Sequence, residues 1–257
     1  MVFRTAGNPD NPAIIFFHAM GVTGDSSEHL SAFLDKKYFC IMPTSSVYSH
    51  GRYISKSDEV RQIEEFLKEI GVNEISLVVA SSIGADLAME FLYSASVPVS
   101  YVFFDGGQFA QISRFARHIM TLFLYFAIKS IYWSKGRTLR HLMWCSDDGI
   151  KKYFMDGGRL LTYRNLRRQL SDSLEDKPFH QFPPQVQRKM FFEFGSLEEH
   201  FKYHPAVKAA YPEAHFPVFR DKKHMEFQIR NPERFASMLD FIAEHGELPA
   251  LEFSEEE

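Results

Sequence analysis

The sequence has only two cysteines, Cys40 and Cys145. Two thiols make neither a disulfide framework nor a four-ligand zinc site, so a reducing compartment is the expectation. Charge of one sign is also scarce. The net charge is -4 at pH 7 over 257 residues, which removes the global case for a nucleic-acid binder. Long apolar runs are missing: the strongest, IMTLFLYFAI at 119–128, is too short to span a bilayer and ends at Lys129. The opening MVFRTAGNPD lacks the basic-then-apolar pattern of a secretory leader. No phosphate-loop or dinucleotide fingerprint is found, SHGRY at 49–53 included, and no internal repeat. These absences point to a soluble, cytoplasmic protein with no cofactor, no nucleic-acid partner and no integral membrane segment. A homodimer stays open.

What is present is core-forming material. The chain is 45% hydrophobic and 24% charged, with 26 Phe, which favours bulky apolar surfaces or a lipophilic pocket. AIIFFHAM (13–20) reads as a buried strand. YFCIMP (38–43) reads as a second, stopped by Pro43, and the polar stretch 45–57 reads as a loop. An amphipathic helix follows, capped by Ser57, with Val60, Ile63, Phe66, Leu67 and Ile70 at helical spacing and Gly71 at its end. EISLVVA (74–80) does not alternate, so both its faces are expected to be buried. A helix presenting Leu87, Phe91 and Leu92 leads to VSYVFFDGG (99–107). RKMFFEFG (188–195) and HFPVFRD (215–221) are two further strands. The last helix is capped by Asn231, has Pro232 in its first turn, and buries Phe235, Met238, Leu239 and Ile242. Such alternation predicts a mostly parallel sheet between helical layers, with ligands at the carboxyl ends of the strands.

The rhythm breaks between 108 and 187. No strand is found there, and two long helices are expected, over 115–133 and 158–174. KPFHQFPP (177–184) reads as the return linker. The segment carries 13 Lys and Arg against 6 Asp and Glu, a surplus of seven, which leaves -11 for the rest of a chain whose total is -4. The reading is therefore a core of 1–107 and 188–257 with an inserted helical cap at 108–187. One face of the apolar helix can line an acyl or aromatic pocket while another docks on the core. The basic surplus fits an anionic substrate, an acidic membrane surface or a solvated face. The acidic tail EFSEEE (252–257) is expected to be solvated.

Two serines end the third strand, in ISLVVASSIGADLA (75–88). They read as a helix cap or as a nucleophile on a tight bend. A serine nucleophile needs a base within hydrogen-bond reach, an orienting group for the base, and N–H donors for the oxyanion. A strand-to-helix elbow exposes the side chain above the sheet and aims a helix N-terminus at developing negative charge. The turn demands small residues two before and two after the serine. Ala80 and Gly84 satisfy this for Ser82, whereas Val79 and Ile83 fail it for Ser81.

With these residues the sequence resembles the α/β-hydrolase family, whose elbow usually reads G-x-S-x-G; here it reads ASSIG. HAMG (18–21) is similar to the family's oxyanion loop, with Ala19 where Gly is usual. The resemblance implies an oxyanion hole from the backbone N–H groups of Met20 and Ile83, with His18 and Gly84 structural. It places the orienting acid at Glu198 in FEFGSLEEH, a Glu for the usual Asp, with Glu199 or Asp105 as alternatives. It makes His224, in the loop DKKHMEF before a Pro-initiated helix, the base. The order Ser82, Glu198, His224 is the family's order. The family's first antiparallel strands look truncated.

The resemblance implies a serine esterase with a catalytic triad: an acyl-enzyme on Ser82 and cleavage of a carboxylic ester, or a related acyl bond, of a small, partly hydrophobic substrate. Thioester, amide, lactone and C–C bond hydrolysis stay open. The other reading is a non-catalytic binding protein on the same fold. His200 and His204, four apart and next to two glutamates, raise a metal site, but Pro205 and the lack of a third ligand segment argue against it.

Overall fold

The computed structural model describes residues 1–107, 109, 112–142, 148–174 and 179–249. Cys145, the acidic tail, residue 108 at the head of the expected insertion, and residues 177–178 of the expected linker lie outside the described residues.

In chain order the elements are β1 (Val2–Ala6), β2 (Ala13–Phe17), α1 (Glu28–Leu34), β3 (Phe39–Thr44), α2 (Lys56–Glu69), β4 (Ile75–Ser81), α3 (Gly84–Ser94), β5 (Val99–Asp105), α4 (Arg114–Trp133), α5 (Leu139–Leu142), α6 (Asp148–Leu160), α7 (Tyr163–Ser173), α8 (Pro184–Gln187), β6 (Met190–Gly195), α9 (His204–Ala210), β7 (Val218–Phe219), α10 (Glu226–Arg230) and α11 (Pro232–His245). The sheet runs β1-β3-β2-β4-β5-β6-β7. Only β1 is antiparallel, and the chain reverses its strand order at β2–β4. A mostly parallel sheet must be covered on both faces. One apolar layer holds Ile15, Phe17, Val78, Phe104 and Phe192 under α2 and α3. The other holds Ile14, Phe16, Val79, Phe103 and Phe191 under α1 and α11. Side-chain alternation along β2, β4 and β5 distributes one run of apolar residues between the two layers.

Several sequence expectations are corrected. A strand precedes the first expected one: β1 pairs with β3 over Val2↔Thr44 to Ala6↔Cys40, with an exposed outer edge that hides its periodicity. Pro43 does not stop β3 but lies inside it; the ladder to β2 ends at Ile41, so the missing N–H breaks no bond on that side. The cap of α2 is Ser55, whose Oγ accepts from the Asp58 N–H; Ser57 is the second residue of the helix and bonds Glu90. The loop at 45–57 is not simply polar: Val47, Tyr48 and Tyr53 are buried beneath α7. The expected helix over 158–174 is two helices. Thr162 leaves the helical conformation and its Oγ1 accepts from the Asn165 N–H, restarting the chain as α7. The expected strand at 215–221 shortens to Val218–Phe219, with an isolated bridge at His215. Asn231 stands at the start of α11 but makes no side-chain capping bond. No helix among the described residues is long and apolar enough to cross a membrane.

Helices α4 to α7 fill the stretch between β5 and β6. Ile128, Leu161, Leu166, Leu170 and Leu174 pack there on Val47, Tyr48 and Ile83 of the sheet side.

Candidate active site

β4 ends at Ser81 and α3 begins at Gly84, leaving two residues to reverse direction. Ser82 takes the turn with φ 54, a left-handed conformation that a non-glycine residue adopts at a cost. Its amide donates to the Asp105 carbonyl at 2.9 Å, which ties the elbow to the end of β5. Ala80 stays in strand conformation, so the left-handed residue is the serine itself. A Cβ at Gly84 would collide with the Phe17 and His18 carbonyls; the elbow seats this close only because the residue has no side chain. The Ser81 Oγ is already engaged, accepting from Gln228 Nε2 at 3.1 Å.

Two other left-handed non-glycine residues, Asp221 and Met225, bracket the loop that carries His224. His224 Nδ1 lies 2.9 Å from Glu198 Oε2. The Glu198 side chain is fully buried, and its Oε1 has no hydrogen-bond partner among the described residues. The neighbouring Glu199 is exposed. Gly106, with φ 60, lies beneath this pair: a Cβ there would meet the His224 ring and the Glu198 carboxylate. The His200 ring stands edge-on to His224, centroids 4.9 Å apart. Burial first, and then the charge of His224, pushes His200 down to about 4, so it is a neutral wall at pH 7. His204 instead meets Phe194 and Phe216 edge-on. The two rings diverge, and among the described residues no group of three or more His, Cys, Asp and Glu is placed to hold a metal.

The loop after β2 is pinned from both sides. His18 Nε2 accepts from the Ser45 N–H at 3.1 Å, so Nδ1 carries the proton and donates to the Ala19 carbonyl at 2.8 Å. The bond from Ser45 needs the neutral ring, and burial pushes His18 down to about 4. Gly21 donates its N–H to the Tyr48 hydroxyl at 2.7 Å. The N–H groups of Met20 and Ile83 donate to no other described group.

Asp105 is buried next to its register partner Glu193. Burial pushes Asp105 up to about 6. Burial, and then Asp105 itself, pushes Glu193 well above the usual carboxylate range. Glu193 is the proton donor of the pair, and the Asp105 carboxylate accepts from it and from Gln228 Nε2. The Asp105 oxygens are thus held by Gln228 and Glu193, within electrostatic reach of His224.

Ser82, His224, Glu198, Glu199, His18 and Met20 all line one cavity of about 870 Å³. Met120, Phe123 and Leu124 of α4 and Tyr153 and Phe154 of α6 make much of its apolar wall. Three participants had no sequence signal strong enough to single them out. Gly106 was visible only as the end of DGG, Glu193 only as a strand residue, and Gln228 only as a polar residue in a short helix.

The fold is the α/β-hydrolase fold. A structure of an alpha/beta hydrolase family protein from Desulfitobacterium hafniense superposes with a TM-score of 0.72 at 15% identity, over 94% of this chain and 99% of that one. An esterase from Exiguobacterium antarcticum gives 0.70 at 12% identity, over 94% of each chain. A bromoperoxidase from Bacillus anthracis gives 0.70 at 12% identity, again over 94% of each. No family model matches this sequence, and no curated protein matches it. One fold carrying an esterase and a bromoperoxidase leaves chemistry to be argued from the site.

Proposed function

We propose that the protein is a serine hydrolase that cleaves carboxylic esters of small, partly hydrophobic substrates. Ser82 Oγ attacks the acyl carbon while His224 Nε2 takes its proton. Glu198 holds Nδ1 and stabilises the imidazolium. The N–H groups of Met20 and Ile83 receive the oxyanion, the latter helped by the N-terminus of α3. Collapse of the tetrahedral species breaks the bond to the alkoxide, which leaves with the proton from His224. Water, deprotonated by the same imidazole, then releases the acid and restores Ser82. His18 and Gly84 position this machinery without touching substrate. Residues 108–187 act as a cap over the 1–107 and 188–257 core. The two-cysteine composition, with Cys40 a buried free thiol, fits a cytoplasmic setting.

The observation that carries the reading is the left-handed Ser82 on one cavity with Met20 and the 2.9 Å Glu198–His224 pair, beside the unspent N–H groups of Met20 and Ile83. A panel of p-nitrophenyl esters, thioesters and lactones tests it, run on the wild type and on Ser82→Ala. Ester turnover is expected to fall about 10⁴-fold or more in the variant. Equal turnover by both proteins would remove Ser82 as the nucleophile, and no turnover by either would leave the alternative, a binding protein on this fold.

A further inference from the structure

Helix α4 carries apolar residues on two opposite faces. Thr121, Ile128 and Ile131 are buried against the fold. Phe115, Ile119, Leu122 and Phe126 recur every three or four residues on the other side, with Trp133 two turns further on, and all are exposed; Phe115 is 75% and Phe126 55% accessible. Of the twelve large apolar residues exposed among the described residues, seven are on this one helix. Twenty residues give a stripe about 30 Å long, longer than the scattered apolar exposure of an ordinary surface requires.

The same helix also borders a basic groove. Tyr125 of α4 meets Tyr163 of α7 edge-on, ring centroids 5.6 Å apart. Tyr163 lines a groove of about 600 Å³ with Ile54, Arg164, Arg167 and Arg168. Arg52 and Arg164 are close enough to push Arg168 down, after burial. Among the described residues none of Arg52, Arg164, Arg167 and Arg168 pairs with a carboxylate. The groove's single acid among the described residues, Asp172, is bonded to the Tyr53 hydroxyl and the Lys56 N–H.

We infer that this face is a docking surface for an anionic lipid bilayer. The stripe enters the acyl boundary and the α7 arginines receive lipid phosphates. Charge complementarity decides against a second copy of the chain. α4 contains two Arg, one Lys and one His but no Asp or Glu, and the segment 108–187 has a surplus of seven positive charges. Self-pairing would set identical basic faces together. Tyr132 and Trp133 at the end of the stripe are the amphipathic rings that favour a headgroup boundary. Phe123, at the edge of the stripe, also lines the Ser82 cavity, so docking sets the mouth of that cavity at the lipid. The surface does not depend on the hydrolase reading.

The test is co-sedimentation of the full chain with vesicles of phosphatidylcholine alone and of equal parts phosphatidylcholine and phosphatidylglycerol. Binding is expected only to the anionic vesicles and is weakened by added salt. Ile119→Ser with Phe126→Ser reduces it by at least about a hundredfold. Arg164→Gln with Arg167→Gln reduces it about thirtyfold. None of the four residues lines the Ser82 cavity, so melting temperature serves as the control for folding. If the apolar pair melts early, the arginine pair carries the test. No binding by the wild type, or equal binding by the arginine variant, overturns the inference. So does a stable dimer that Ile119→Ser with Phe126→Ser splits and that ignores vesicles. Since sedimentation needs no turnover, a chain that binds vesicles but hydrolyses nothing would sink the proposed function and leave the surface standing.

Discussion

The sheet and the helical stretch between β5 and β6 use apolar residues in opposite ways. Along β2, β4 and β5 almost every such side chain is inside, divided between the two faces of one sheet. Along α4 they are inside and outside at once. The sheet therefore has one stable arrangement and can hold strained backbone at Ser82, Asp221 and Met225. The helices hold no part of the proposed catalytic machinery. They wall the cavity, so under the proposed function the first region governs whether a bond is broken and the second governs what arrives.

That division is sharpened most by the acid. Glu198→Gln is expected to lower kcat by about 10³- to 10⁴-fold with little change in KM, because a neutral amide neither fixes the imidazole tautomer nor stabilises its cation. Glu199→Gln should leave kcat within about threefold. A larger loss at Glu199 would move the orienting role one residue along.

The next comparison sets one truncation in each region. Phe103→Ala, in the sheet, is expected to lower unfolding stability by about 3–5 kcal/mol in the single global transition. Leu170→Ala, where α7 packs on the elbow side, should cost about 2–4 kcal/mol and raise hydrogen exchange in α4 to α7 before the sheet opens. Exchange rising uniformly through both regions would erase the distinction.

A smaller effect separates two buried titrating groups within the sheet region. His18 has its folded value lowered from about 6.5 to about 4. Its contribution is complete above 6.5 and is lost as pH falls toward 4. Asp105 has its folded value raised from 3.8 to about 6. Its contribution is complete below 3.8 and is lost as pH rises toward 6. Each is worth at most about 3 kcal/mol. Between pH 6.5 and 4, His18→Gln should lose less stability on acidification than the wild type, and Asp105→Asn should lose more. Denaturant melts across that window check both signs.

Legibility in the sequence followed the same line between regions. Buried strands were readable because an unbroken apolar run bounded by turn residues has few other meanings, as in 75–81 and 99–105. Ser82 was separable from Ser81 because the elbow's steric demand falls on neighbours whose sizes the sequence prints. β1 was not readable, since its exposed edge carries no periodicity over five residues. Nor was the break at Thr162, where one capping hydroxyl outweighs a continuous helical pattern. Gly106 and Gln228 act through residues distant in the chain, Gly106 beneath His224 and Gln228 on Ser81 and Asp105, and no local pattern encodes such contacts.

The central claim is that Ser82 is an activated nucleophile, and a fluorophosphonate probe tests it most directly. Mass spectrometry of the digested wild-type protein should find the adduct on Ser82, lost in Ser82→Ala and strongly slowed in Glu198→Gln. A native, folded chain that takes up no probe at Ser82, or that is labelled equally in Ser82→Ala, would contradict the account.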